Sequence, residues 1–133
     1  MSGLHEITLV ILPVTDQDRS VEFYEGKLGL EKRTDVEFGR GMRWIEVYAP
    51  QSSTGIAIAT PPPGTEVTPQ NSGITFRTDD IDAEHARLRE AGVDVDAEIM
   101  RMGGMVPDMF FFRDPDGHTL LVVKPNENGS APE

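Results

Sequence analysis

Glu46 is the acidic residue whose neighbours most suggest chemistry. It stands in the otherwise apolar segment Trp44-Ile45-Glu46-Val47-Tyr48, and on a β-strand it would share one face with Trp44 and Tyr48 because side chains alternate. If that face is covered, the carboxylate is desolvated and favours a cation or a hydrogen-bond donor from a ligand. If that face meets water, Glu46 is the polar half of an amphipathic strand. The sequence leaves both interpretations open.

The three histidines show no pattern typical of a catalytic base or a metal site. His5 precedes the first predicted strand, His85 falls within a predicted helix and His118 lies in a turn, so each is expected at an exposed position. His5 does not begin the HExxH pattern of zinc proteases, because Leu9 occupies the place of the second histidine. The chain has no cysteine, which excludes disulfides, thiolate nucleophiles and cysteine metal ligands. We therefore predict no catalytic residue.

Further candidates are apolar clusters that suit either a core or a ligand surface. Three methionines flank the glycine pair 103–104, where they would form an adaptable apolar surface or fill gaps in the core. The phenylalanine triplet 110–112 must point to both faces of a strand, so part of it is core. Arg77 either reaches the binding site or pairs with an acidic neighbour. The predicted ligand-binding residues are Trp44, Glu46, Arg77, Met100, Met102, Met105, Phe110 and Phe112.

A unit that occurs twice in the chain positions these residues. The segment RWIEVYAPQSSTGIAIA superposes on PDMFFFRDPDGHTLLVV at a shift of 64 residues, and the same shift aligns LPVTDQD with FRTDDID. Under this shift Tyr48 falls on Phe112, and the strand of Trp44 corresponds to the strand of Phe110. Two units of this size are too small for separate good cores, so we expect them to share a core or a sheet. Internal symmetry would then set these side chains around equivalent parts of the sheet.

Each unit is predicted to contain a strand, a helix and three further strands. In the first unit the predicted strands are 7–12, covered on both faces, then 31–37, 42–48 and 56–60. The helix between them begins at a Thr15-Asp16 cap, buries Val21, Tyr24 and Leu28, and stops at Gly29. In the second unit we predict strands 74–77, 93–102, 109–112 and 120–123, with a helix over 81–91. The proline-rich segment 61–72 links the units, and the polar segment 126–133 is expected to fray.

The charge of the chain limits its partners. Twelve basic and 23 acidic residues give a net charge of -11, which repels nucleic acids and anionic membrane surfaces but tolerates a cationic ligand. We find no signal-peptide pattern at the N-terminus and no apolar run of the roughly 20 residues that a membrane span needs. We therefore expect a cytoplasmic protein that contacts neither nucleic acid nor membrane.

Several segments in order resemble the glyoxalase/bleomycin-resistance/extradiol dioxygenase superfamily, also called vicinal oxygen chelate proteins. They are DQDRSVEFYEGKLGL, RWIEVYAP, ITFRTDDIDAEHARLREAGV and FFFRDPDGHTLLVV, and the resemblance runs from about Ile7 to Pro125. It implies an α+β fold of two βαβββ modules, at about 5–60 and 73–125, whose mixed sheet curls into an open cup. It also implies one domain over residues 1–133 and a homodimer with each cup at or near the interface.

The resemblance places the metal ligands of the superfamily's enzymes, usually histidine or glutamate, at four positions of this chain. These positions are Leu9, Ala57, Gly73 and Leu121. None offers the imidazole or carboxylate that divalent cations need. We therefore expect no metal, no cofactor, and a binding protein similar to the bleomycin-resistance branch, which would hold an aromatic or cationic drug-like molecule. The alternative is a glyoxalase-like lyase, isomerase or dioxygenase with a displaced metal site or Glu46 as general base. A scaffold without any ligand is a third possibility.

Overall fold

Each half of the chain folds into a strand, a helix and three further strands. The computed structural model describes residues 2–125, and the chain divides into two units, Met1–Val67 and Thr68–Glu133. Each unit contains its own four-stranded mixed sheet. The predicted α+β class with two βαβββ modules is therefore confirmed. The predicted fraying of 126–133 lies outside the described residues.

The first unit contains one helix and four strands in the sheet order β1-β4-β3-β2. The strands are β1 (Leu9–Pro13), β2 (Glu31–Glu37), β3 (Arg43–Tyr48) and β4 (Gly55–Ala59). β1 runs parallel to β4, and the remaining pairs are antiparallel. Ile11 of β1 is 61% exposed, so the expectation that the first strand is covered on both faces is wrong.

Helix α1 (Gln17–Val21) begins at the predicted cap and continues as a π-helical segment, Glu22–Lys27. The Asp16 side chain accepts a hydrogen bond from the Arg19 amide at 3.1 Å, which caps the first turn. In the π-helical segment the Leu28 amide donates to the Phe23 carbonyl, five residues back, over 3.1 Å. This wider turn changes the predicted buried stripe: Phe23 joins Tyr24 in the core, whereas Leu28 is only half-buried.

The second unit repeats the arrangement with the sheet order β5-β8-β7-β6. Its elements are β5 (Asn71–Arg77), α2 (Ile81–Glu90), β6 (Asp94–Val95), β7 (Asp108–Arg113) and β8 (Thr119–Lys124). Asp80 caps α2 by accepting from the Ala83 amide at 3.0 Å. Within residues 2–125, neither helix has the length and apolar content needed to cross a bilayer.

The predicted strand over 93–102 is wrong for most of its length. Only Asp94–Val95 pairs as a strand, and pairing resumes at a single bridge between Met100 and Met109. Val95 lies opposite Phe112, and Met100 lies opposite Met109. The five residue steps from Val95 to Met100 therefore face only three steps, from Phe112 to Met109, along β7. The Asp96 amide still donates to the Phe111 carbonyl at 3.0 Å, so the chain bulges away from the sheet over 97–99.

One face of each sheet is covered by the helix of the same unit. In the first unit Ile45 and Val47 are fully buried on this face, and Arg43, on the same face, forms an ion pair with Asp18 of α1 at 2.8 Å. In the second unit the His85 ring of α2 lies edge-on to Phe110, with 4.8 Å between the ring centroids. These contacts define a helix-covered face and an opposite face for each sheet.

Candidate functional site

Strand β3 sends three polar or aromatic side chains to the opposite face of the first sheet. Trp44, Glu46 and Tyr48 alternate with the buried Ile45 and Val47, so they point away from α1, and all three are half-buried. The predicted pairing of Trp44 with Glu46 on one face is therefore seen.

Glu46 is held between its two aromatic neighbours. The Trp44 indole N–H donates to Glu46 Oε2 at 2.7 Å, and the Tyr48 hydroxyl donates to Glu46 Oε1 at 2.6 Å. Both donors are neutral, so these hydrogen bonds fix the orientation of the carboxylate without cancelling its charge. Within residues 2–125 the ion pairs of lysine and arginine go to other carboxylates, and none goes to Glu46. We call Trp44, Glu46 and Tyr48 the carboxylate triad.

The Tyr48 ring packs against position 55, where only a glycine leaves room for it. Tyr48 lies directly opposite Gly55 across β3 and β4, and a Cβ at position 55 would lie 2.6 Å from two of the ring carbons. The hydrogen bond to Glu46, followed by partial burial, raises the pKa of Tyr48 above its usual 10.0, because both favour the neutral phenol. Tyr48 is therefore a protonated hydrogen-bond donor at neutral pH.

Arg33 contacts both the Tyr48 ring and the loop before β4. Lys32 pairs with Val47 and Thr34 pairs with Glu46, so Arg33 is the extra residue of a β-bulge. Its guanidinium carbon lies 4.5 Å from the centroid of the Tyr48 ring, close enough for a cation–π contact. The same guanidinium bonds to Glu31 and to the carbonyls of Ala49, Pro50 and Ser52 in the loop before β4.

Sequence reasoning identified Trp44 and Glu46 but did not assign roles to Tyr48, Gly55 or Arg33. The shared parity of Tyr48 with Glu46 was a usable signal, since it places the phenol two residues from the carboxylate. The sequence contains no comparable signal for Arg33, because the position of a β-bulge depends on how two strands pair.

Phe110 and Phe112 lie on the helix-covered face of the second sheet, which contradicts their predicted place in a ligand site. They are 0% and 1% exposed, and both belong to the core. The prediction used a constant shift of 64 residues, but β3 and β7 begin 65 residues apart, at Arg43 and Asp108. A slip of one residue reverses every side chain of a strand. Phe110 is therefore equivalent to Ile45, and Phe111 is equivalent to Glu46.

A difference in loop length explains this slip. Six residues connect β3 to β4, whereas five residues, 114–118, connect β7 to β8. The strands after the loops keep the shift of 64, since Ala57 and Leu121 occupy equivalent places opposite Ile11 and Thr75. The strands before the loops, β3 and β7, are therefore related by a shift that is one residue larger.

The other predicted site residues belong to the second unit. Arg77, Val123, Met109 and Met100 form one row across the opposite face of the second sheet. Arg77 is exposed, and it has no acidic ion-pair partner within residues 2–125. Met102 and Met105 flank the predicted glycine turn and are 71% and 72% exposed, so they do not fill core gaps in this unit.

Two of the three histidines are buried, contrary to expectation. His85 is 8% exposed because its ring packs on Phe110, and its Nε2 lies 2.7 Å from the Asp96 carbonyl oxygen. His118 is fully buried, and its backbone amide donates to Asp114 Oδ1 at 2.8 Å, which closes the β7–β8 turn. Both histidines therefore support the structure of the second unit. His5 is exposed, as predicted.

The four positions that the resemblance assigns to metal ligands do not fit a divalent cation. Ala57 lies opposite Glu46, Leu9 lies opposite Gly55, and Leu121 lies opposite Thr75. Glu46 on the row of Ala57 is already bonded to two neutral donors, and Glu31 at the end of the row of Leu9 is paired with Arg33. Across residues 2–125, we find no group of three or more histidine, aspartate or glutamate side chains placed to hold a metal ion.

Comparison with known proteins adds a family and several relatives. The family model described as Glyoxalase/Bleomycin resistance protein/Dioxygenase superfamily matches residues 3–122. Protein YurT of Bacillus subtilis (strain 168) is 30% identical over 128 residues, which cover 90% of this chain and 98% of YurT. Glyoxylase I 4 of Arabidopsis thaliana is 28% identical over 131 residues, covering 92% of this chain and 70% of that protein.

A solved structure with a described binding role is also similar. The crystal structure of TnmS3, an antibiotic binding protein from Streptomyces sp. CB03234, superposes with a TM-score of 0.79. It is 28% identical to this chain, and the match covers 95% of this chain and all of TnmS3.

Proposed function

Because the chain belongs to the Glyoxalase/Bleomycin resistance protein/Dioxygenase superfamily, we propose that it is a metal-independent protein that binds an aromatic or cationic drug-sized molecule. The observation that carries this proposal is the carboxylate triad on β3. Trp44 offers an aromatic surface for stacking, and Glu46, held between Trp44 and Tyr48, offers a fixed negative charge. The net charge of -11 adds long-range attraction for a cation.

The relatives support a binding role without identifying the ligand. TnmS3 is described as an antibiotic binding protein, and its similarity extends over nearly the whole of both chains. Leu9, Ala57, Gly73 and Leu121 supply no metal-binding groups at the positions where the superfamily's metal enzymes need them. Binding through side chains alone is the activity that the remaining groups support best.

An enzymatic role is the alternative, and the similarity to glyoxylase I 4 favours it. Glu46 would then be the general base on the opposite face of the first sheet. Both of its oxygens already accept hydrogen bonds, from Trp44 and from Tyr48, so neither is free of a donor. A base has to contact the proton that it removes, and each oxygen has a lone pair left for that contact. The preference for a binding role therefore rests on Leu9, Ala57, Gly73 and Leu121, which offer no group to hold a metal.

We also propose that the protein is a cytoplasmic homodimer. Within the first unit, β1 is an edge strand, and the apolar side chains of Ile11 in this strand and of Ile7 just before it are exposed. A two-fold partner would cover exposed apolar groups of this kind. Light scattering at micromolar concentration is expected to give twice the mass of the 14.7 kDa chain, and a monomer mass would refute the dimer.

Metal analysis combined with a ligand screen tests the proposed function. Protein dialysed against buffer without chelator is expected to hold far less than one equivalent of zinc, nickel, manganese or iron. Aromatic cations are expected to change the fluorescence of Trp44, which is the only tryptophan of the chain. Near-stoichiometric metal after dialysis, with no fluorescence response to any aromatic compound, would favour the enzyme.

A further inference from the structure

The charge of Glu46 is oriented but not neutralised within the first unit. Arg33 bonds to Glu31, and Arg43 bonds to Asp35 and Asp18, so the nearby cations have other partners. Hydrogen bonds from an indole and a phenol leave a full negative charge on a half-buried carboxylate. A cationic group from a ligand would stabilise this charge more than a neutral group would.

The carboxylate has acceptor capacity left for that cation. An ionised carboxyl group has about four lone-pair sites, and the triad uses one on each oxygen. One further N–H donor can therefore bond to each oxygen, a pattern that suits a planar amidinium or guanidinium. The indole ring of Trp44 beside the carboxylate favours a cation attached to an aromatic system.

Two residues outside the triad set the position of the Tyr48 hydroxyl. Gly55 gives the ring its space, because any larger residue would place a Cβ within 2.6 Å of ring carbons. Arg33 covers the ring and ties the loop before β4. If Gly55 or Arg33 were replaced, the Tyr48 hydroxyl would move, and Glu46 would lose one of its two fixed donors.

We infer that the carboxylate triad is a preorganised acceptor for one aromatic amidinium-type cation, with Tyr48 as a specificity-determining residue and Gly55 and Arg33 as positioning residues. The inference rests on the proposed function, since it names the class of ligand that the same face would bind. Tyr48 acts by holding the carboxylate in place through its hydroxyl, and it takes part in no covalent step.

A matched pair of small probes tests this inference. Benzamidine is a planar aromatic cation with two nitrogen donors, and benzamide has nearly the same shape without the charge. The indole N–H of Trp44 gives a single side-chain signal in a nitrogen–proton NMR spectrum, because the chain has one tryptophan. Titration of ¹⁵N-labelled protein with each probe is expected to shift this signal, with benzamidine binding at least about tenfold more tightly, equal to about 1.4 kcal/mol.

Three variants separate the causes of this preference. Glu46→Gln keeps the shape of the side chain and is expected to abolish the preference for benzamidine. Tyr48→Phe keeps the ring and loses the hydroxyl, and it is expected to reduce the preference about threefold or more. Glu37→Gln removes the same charge from an exposed position of β2 outside the triad, and it is expected to retain the preference.

The outcomes distinguish this inference from the proposed function. Equal affinity of wild-type protein for both probes would overturn the inference and leave aromatic binding in place. A preference that survives in Glu46→Gln, or falls equally in Glu37→Gln, would also overturn it. If neither probe shifts the indole signal, both the inference and the proposed binding face are wrong. The wild-type comparison decides the question even if a variant does not fold.

Discussion

The Tyr48 hydroxyl lies 2.6 Å from Glu46 Oε1, at the short end of the range for such hydrogen bonds. A short bond from a neutral phenol to a carboxylate resists ionisation of the phenol, because tyrosinate would face a second negative charge. This bond therefore links the protonation of Tyr48 to the shape of the carboxylate triad.

We predict that Glu46→Gln lowers the pKa of Tyr48 towards its usual 10.0, because the hydrogen bond to Glu46 is the main cause of the raised value. A pKa that is higher in the folded state contributes stability below pH 10.0, and this contribution is lost as the pH rises through the folded value. Absorbance titration of tyrosinate, with Tyr48→Phe subtracted to remove the signal of Tyr24, measures the change. An unchanged titration in Glu46→Gln would show that the bond does not form in solution.

Gly55→Ala is predicted to destabilise the first unit by about 1–3 kcal/mol, because the added Cβ would lie 2.6 Å from the Tyr48 ring. Removing the ring removes the clash, so the same change in a Tyr48→Ala background should cost less than about 1 kcal/mol. Denaturant unfolding of the four proteins completes the double-mutant cycle. Gly26→Ala is a control, since a Cβ at position 26 would meet no atom within 4 Å. Additive costs at positions 48 and 55 would contradict the contact.

Phe110→Ala and Phe111→Ala are predicted to differ sharply in stability. Phe110 is fully buried under α2, and its loss should cost about 3–5 kcal/mol. Phe111 lies on the opposite face and is half-buried, so its loss should cost less than about 2 kcal/mol. Urea unfolding midpoints give the comparison, and a larger cost at position 111 would show that the register of β7 is wrong.

Asp35→Asn is predicted to weaken the protein at neutral pH and to have no effect in strong acid. Hydrogen bonds from Arg43, and then from Lys32, hold the pKa of Asp35 at about 2, below its usual 3.8. This contribution is therefore present above pH 3.8 and disappears as the pH falls through about 2. Because the pair is partly exposed, the cost at pH 7 should be at most about 1 kcal/mol. Thermal unfolding across this pH range, with Asp79→Asn as an exposed control, checks it.

Local signals predicted most of the fold because they depend on neighbouring residues alone. Asp16 caps the first helix as expected, and the strand Glu31–Glu37 has the predicted ends. The π-helical segment was missed because the apolar spacing of Val21, Tyr24 and Leu28 also fits a regular helix. The bulge over 97–99 was missed because apolar content does not reveal where pairing is interrupted.

The candidate site was only partly predictable, because a ligand face depends on the register of strands. Alternation along β3 correctly grouped Trp44 with Glu46, since that inference needs only one strand. Transfer of the pattern to Phe110 failed, because it assumed equal loops in the two units. Arg33 and Gly55 act through contacts with neighbouring strands, which a single sequence does not display.

The strict alternation along β3 separates two kinds of mutational constraint. Ile45 and Val47 are buried in the core, so their size and shape are constrained by packing. Trp44, Glu46 and Tyr48 occupy the intervening positions on the opposite face and are less constrained by the core. In the second unit the equivalent alternation leaves Met109, Phe111 and Arg113 on the corresponding face. The three outward residues of each unit can therefore change with little effect on the core of that unit. At equivalent positions the first unit presents the acid Glu46 and the second presents the aromatic ring of Phe111. The residues that can vary without loss of the fold are therefore the alternate, outward residues of β3 and β7.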